Sequence, residues 1–178
     1  MQNIKISLSV FLVVFSTLAL AGAYVSQYVF GMEPCILCLY QRVPYFIVII
    51  IASISYFMHG RSQIILWALC GIVLLAGALI AFYHVGVEQG VFKISDGCEV
   101  GNAMPSSLEE MTMQLMGKPN VPCDKPQFVF LGLSMAAWNF LFSASIGFIT
   151  CNIVWKLYET QKLIKKSDEH NKKRKEGK

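Results

Sequence analysis

Four apolar runs govern what this chain can become, at residues 6–30, 39–58, 64–83 and 130–155. Each is long enough to cross about 30 Å of hydrocarbon at about 1.5 Å of rise per helical residue. Of the 178 residues, 55% are hydrophobic and only 15% are charged, a balance that soluble domains of this length do not keep. The expected fold class is an all-α membrane protein, a four-transmembrane-helix bundle forming a single membrane domain over residues 1–178. Loops at 31–38 and 84–129 would lie on one side. A tight turn at 59–63 and the tail at 156–178 would lie on the other. The first run has a competing reading as a cleavable signal, because Lys5 precedes it and Ala19-Leu20-Ala21 lies within it. Its apolar character continues to Phe30, however, beyond the usual signal core.

Charge sets the expected orientation. Lys5, Arg61 and the tail carry eleven of the fifteen basic residues, while seven of the eleven acids lie in or beside the two loops. The positive-inside rule then puts both termini in the cytoplasm. The loops would face an oxidising compartment, which in a bacterium is the periplasm outside the inner membrane. The net charge of +4 comes from the tail, which is expected to lie near anionic lipid and not to bind nucleic acid. The long loop is not all irregular. Ser106 and Glu109 stand at capping-box spacing, and Leu108, Met111 and Leu115 share a helical face before Gly117 and Pro119. A short amphipathic helix on the bilayer or on the protein surface is expected there.

The six cysteines divide into two sets. Cys70 and Cys151 fall within apolar runs and read as small hydrophobes. Cys35 and Cys38 flank Ile36-Leu37 in the first loop, where a turn or helix start brings two sulfurs within reach. Pro34 favours the turn, and Pro44 is placed in the first turns of the second span. Cys38 near a helix N-terminus, with Arg42 one turn on, favours thiolate and hence exchange chemistry. A structural reading is weaker, because so small a ring removes little chain entropy. A metal reading lacks a second ligand pair at zinc-like spacing. Cys98 and Cys123 form the other outer pair. The ring they would close spans 26 residues, worth about 3.5 kcal/mol as a staple. Beside a reactive Cys-x-x-Cys, the same pair also reads as a relay to a soluble partner.

Two disulfides in series only pass electrons along. The chain has no haem-type Cys-x-x-Cys-His and no dinucleotide fingerprint. A lipid-soluble quinone suits a dithiol at the bilayer edge. Arg42, opening the second span, and His84, just past the third, are the candidate groups for its carbonyl oxygens.

At these residues the sequence resembles the disulfide-bond-formation protein B (DsbB) family. The matching stretches are Pro34-Cys35-Ile36-Leu37-Cys38-Leu39-Tyr40-Gln41-Arg42, then Tyr83-His84, the pair Cys98 and Cys123, and Phe130-Leu131-Gly132-Leu133-Ser134-Met135 with Trp138. The resemblance implies a quinone-dependent oxidoreductase that reoxidises a periplasmic DsbA-like thiol oxidase, with ubiquinone or menaquinone as acceptor. It implies that the partner attacks Cys98, that Cys123 is its loop partner, and that Cys35 and Cys38 reduce quinone, with Cys38 beside the ring. Arg42 and His84 would bind the quinone, and no metal is implied. Gln41 stands where some relatives carry an acid and receives no role. Two rival readings are a thiol-fuelled reductase of the vitamin-K-epoxide type and a non-enzymatic scaffold stapled by disulfides.

Overall fold

The computed structural model describes residues 2–92, 122–126 and 128–176. Four helices run in succession: α1 at Gln2–Tyr28, α2 at Ile36–Phe57, α3 at Arg61–Glu88 and α4 at Met135–Glu176. Within them Ser7–Tyr28, Ile36–Phe57, Arg61–Glu88 and Met135–Ser167 are long and apolar enough to cross a membrane. The chain is therefore an all-α, multi-pass membrane protein. The amphipathic helix expected within residues 106–116, and Cys98, lie outside the described residues.

The helix ends depart from the hydropathy pattern where capping outweighs it. α2 starts at Ile36 because Cys35, extended at φ −69° and ψ 169°, acts as its N-cap. Pro44 is consequently well inside α2, where it denies the Tyr40 carbonyl its helical donor. α3 continues past Tyr83 to Glu88, and Gly90, at φ 69°, supplies the left-handed residue that ends it. α4 begins at Met135 and not at residue 130. Val129–Phe130 and Leu133–Ser134 pair instead as a two-stranded antiparallel hairpin, turning through Leu131 and Gly132 at positive φ. Ser134 Oγ then accepts the Ala137 N–H at 3.2 Å and caps α4. At 42 residues α4 is about 63 Å long, so it carries most of the basic tail as helix beyond the bilayer.

Helix packing runs in a row, α1 on α2, α2 on α3 and α3 on α4. Lipid offers no hydrophobic drive to bring helices together, so close backbone approach has to do it. At Gly71 an added Cβ would stand 2.7 Å from Cys151 Sγ and 3.4 Å from the Gly147 carbonyl oxygen, so α3 and α4 meet through small residues. Gly77 packs closely against the Pro44 ring of α2, where an added Cβ would stand 3.0 Å from Pro44 Cβ and Cγ. Cys70 and Cys151 serve as packing groups. Leu18, Leu79 and Phe148 remain exposed, as lipid-facing side chains should.

Near one end of the bundle, polar bonds tie three helices together. Trp67 Nε1 donates to Ser9 Oγ at 3.0 Å, Ser9 Oγ lies 2.9 Å from Ser55 Oγ, and Gln63 Nε2 donates to the Ser55 carbonyl at 3.1 Å. All four side chains are buried, which makes each bond costly to lose. The opposite end collects the chemistry.

Candidate redox site

Cys35 and Cys38 take the N-cap and third positions of α2. Cys35 Sγ accepts the Cys38 backbone N–H at 3.4 Å, the bond a capping side chain makes. The helix start thereby brings the two sulfurs to 3.2 Å, with the Cys35 thiol donating to Cys38 Sγ. Cys35 is buried and Cys38 half-buried. The hydrogen bond that Cys35 gives to Cys38, reinforced by burial, pushes its thiol up to about 12, against an opposing pull from His84. Cys35 is thus the sulfur that keeps its proton.

α3 contributes His84 and Glu88 from its extra turn. His84 Nε2 is 3.7 Å from Cys35 Sγ and 3.7 Å from Glu88 Oε1. The Ser134 hydroxyl donates to Glu88 Oε2, fastening the start of α4 to the end of α3. On the other side of the ring, Gln41 Nε2 lies 2.7 Å from His84 Nδ1. Asn139 Nδ2 donates to Gln41 Oε1 at 2.5 Å. The Tyr45 hydroxyl donates to Asn139 Oδ1 and lies 2.7 Å from Ser143 Oγ, which also donates to Asn139 Oδ1 at 3.1 Å. The result is a continuous polar chain through α2, α3 and α4.

Arg42 faces the other way, toward α1. Its Nη1 donates to Gln27 Oε1 at 2.7 Å and its Nη2 to the Ala23 carbonyl at 3.5 Å. Its guanidinium carbon sits 4.9 Å from the centre of the Tyr24 ring, within cation–π range. Cys123 is buried in one cluster with Cys35, Leu37 and Val87, and Cys38 packs against that cluster. The Cys123 backbone also approaches His84. A cavity of about 470 Å³ opens between α1 and α4 at this end. Cys38, Gln41, Arg42 and His84 form its polar wall, while Phe15 and Phe142 are among its apolar lining. Its size and its few convergent polar groups are those of a small-molecule site.

Of the residues singled out from sequence, Cys35, Cys38 and His84 come together, Cys123 packs beside them, and Arg42 lines the same cavity. Cys98 lies outside the described residues. His84 is not a boundary side chain but a buried one. It also changes the metal argument. Cys35, Cys38 and His84 offer three ligand atoms within 4.8 Å of one another, a grouping invisible in spacing because His84 comes from another helix. Sequence reasoning missed Glu88, Asn139, Tyr45, Gln27 and Tyr24, and passed over Gln41. A helical signal was present for two of them, since Cys38, Gln41, Arg42 and Tyr45 repeat at the spacing of one face.

A family model described as DsbB, Disulfide bond formation protein DsbB, matches residues 5–153. The chain is 31% identical over 136 residues to a Rickettsia prowazekii protein described as uncharacterized, covering 75% of this chain and 78% of that one. It is 27% identical over 165 residues to the disulfide bond formation protein B of Haemophilus influenzae, covering 85% and 88%. With that of Nitrosomonas eutropha it shares 28% over 160 residues, covering 82% and 93%. A match over nearly the whole membrane bundle, on a helix start that pairs two thiols, makes this chain a member of the DsbB family of disulfide bond formation proteins.

Proposed function

We propose that the protein reoxidises a periplasmic DsbA-like dithiol oxidase and passes the electrons through Cys98–Cys123 and Cys35–Cys38 to ubiquinone or menaquinone. On this reading it sits in the bacterial inner membrane with both termini cytoplasmic. The observation that carries the proposal is the packing of Cys123 against Cys35 and Cys38 on the wall of a cavity between two membrane helices.

Each exchange balances. A partner thiolate attacks Cys98, breaking the Cys98–Cys123 bond and releasing Cys123 as thiolate. The partner's second thiol closes its own disulfide, leaving Cys98 and Cys123 reduced. Cys123 then attacks Cys35, and Cys38 leaves. Cys98 resolves that bond by returning to Cys123, so two electrons now reside on Cys35 and Cys38. Quinone, when bound, supplies the sink for two electrons and two protons. A DsbA-type oxidase is itself a strong oxidant at about −120 mV, so the acceptor must be more oxidising still.

The cavity suits such a group. Its volume would accommodate a quinone ring, its apolar lining comes from α1 and α4, and Cys38, Arg42 and His84 share its polar wall. Arg42 holds positive charge there, fixed by Gln27, Ala23 and Tyr24 so that it need not reorganise during turnover. Cys35 retains its proton through its bond to Cys38, leaving Cys38 to face the ring.

Purified protein, a reduced DsbA-type partner and a soluble quinone analogue test the proposal. Oxidised partner and quinol should accumulate together in equal amounts, and Cys38→Ser should abolish both. Turnover of Cys38→Ser at the normal rate would refute the mechanism. Net flow from quinol to partner would instead favour a reductase.

A further inference from the structure

We propose that Gln41 and Asn139 are positioning residues that hold His84 in a single tautomer, with its proton on Nε2 and aimed at Cys35. The functional part of this inference rests on the proposed electron route, while the tautomer itself does not.

With its amides oriented as follows, the direction of the polar chain places the proton. Asn139 Oδ1 receives two hydroxyls, from Tyr45 and from Ser143. That leaves Nδ2 as the Asn139 group facing Gln41, and it donates to Oε1 at 2.5 Å. With Oε1 occupied, Gln41 presents Nε2 to His84 Nδ1 at 2.7 Å. With the amides so oriented, Nδ1 accepts. A neutral imidazole carries one N–H, so the proton is on Nε2. Gln41, His84 and Ser143 are 6%, 3% and 2% exposed, so these bonds are made within the protein and are costly to lose. Reversing one amide alone is blocked as well. A flipped Gln41 would set two NH₂ groups 2.5 Å apart.

Nε2 is the ring atom that faces the chemistry, 3.7 Å from Cys35 Sγ. In the proposed route Cys35 is attacked by Cys123, expelled from it, and finally closes its bond to Cys38. Negative charge falls on Cys35 Sγ in the last two events. Besides this N–H, a thiolate there has the Cys38 backbone N–H at 3.4 Å to draw on, while burial and the side-chain bond to Cys38 both favour its thiol. An N–H directed at it lowers the cost of that charge, whereas the opposite tautomer would present a lone pair to an anion. No proton changes hands at His84 in this role. Glu88, 3.7 Å from the same nitrogen and bonded to Ser134, holds the ring when Cys35 is neutral or disulfide-bonded. The same proton occupies the nitrogen that a soft cation would need to join Cys35 and Cys38 as ligands.

The test is nitrogen NMR of the full chain with labelled histidine, reduced and in lipid nanodiscs. His59 and His170 are replaced by glutamine so that His84 alone reports. The expected spectrum has an unprotonated Nδ1 and a protonated Nε2. Asn139→Leu, which does not touch the ring, should release Gln41 and give a mixture of both tautomers. Gln41→Met should do the same directly, and it stands in if the first variant fails to fold. Both should slow quinone-dependent turnover at least about tenfold, the loss of one hydrogen bond to a charged group. A wild-type ring protonated on Nδ1, or variants that keep Nε2–H alone, would overturn the assignment. Mixed tautomers with undiminished turnover would overturn its catalytic role. Wild type that shows the expected ring but no turnover would count against the electron route and leave the tautomer standing.

Discussion

In the reduced protein Cys35 should be among the slowest thiols to alkylate, and its rate should keep climbing with pH long after an ordinary cysteine has levelled off. Its thiol is pushed up to about 12, first by the hydrogen bond it gives Cys38 and then by burial. An ordinary cysteine near about 8.5 is roughly 9% thiolate at pH 7.5. A group at about 12 is only about 0.003% thiolate, roughly 3,000-fold less. A more basic thiolate is more nucleophilic, by about 40-fold over this interval at a Brønsted slope of about 0.45. The net expectation is modification roughly 80-fold slower than an ordinary thiol at pH 7.5. Steric burial slows the reaction further, but equally at every pH. The diagnostic is therefore the slope, about tenfold per pH unit to beyond pH 10, where an ordinary thiol has flattened near pH 9. Iodoacetamide, being small, is the reagent, and peptide mass spectrometry separates Cys35 from Cys38. Cys38→Ala removes the acceptor of the bond, so the Cys35 profile should shift to lower pH. A Cys35 plateau below pH 10 in the wild type, or an unmoved profile in Cys38→Ala, would refute the reasoning.

Packing and capping give three further expectations. Gly71→Ala should destabilise the bundle by about 1–3 kcal/mol through its clash with Cys151 Sγ, and adding Cys151→Ala should recover most of that loss in a thermal melt. Ser134→Ala removes both the α4 cap and the Glu88 partner, for an expected loss of about 1–2 kcal/mol by denaturant titration in detergent. Arg42→Lys keeps the charge but cannot reproduce the fork between Gln27 and Ala23 over Tyr24; steady-state kinetics should show a rise in quinone KM of about tenfold with thermal stability nearly unchanged.

Much of the scaffold was legible because lipid makes its demand on composition directly. Runs of apolar residues announce membrane helices, and Cys35-Ile36-Leu37-Cys38 announces a thiol pair wherever a helix begins. What hydropathy could not place were helix ends decided by a few hydrogen bonds. Cys35 caps α2 three residues ahead of the apolar run, and α3 carries His84 and Glu88 a turn beyond it. The Leu131-Gly132 turn removes five residues from the fourth span. The polar chain was harder still. Gln41, Tyr45, Asn139 and Ser143 look like scattered exceptions in apolar helices, and only the facing of α2, α3 and α4 joins them. Arg42 was legible as a cation near Cys38, but its capture by α1 depends on which helix lies beside α2.

The uneven packing of the helices has a consequence for access. Polar bonds and close glycines lock α1 to α2 at one end and α3 to both of its neighbours. At the other end α1 and α4 part, and the cavity occupies the gap. On the proposed route a ligand dissolved in lipid would reach Cys38 sideways through this gap, between helices, and not from the aqueous face. Cys123 packs in one buried cluster with Cys35 and Val87, and Cys38 lies against that cluster. Burial keeps water from Cys35, which matters because an exposed thiolate there would lose its electrons to any passing oxidant. On the proposed route the loop cysteines and the lipid-borne oxidant must reach Cys35 and Cys38 by separate approaches, and the row-like packing of this bundle leaves room for both.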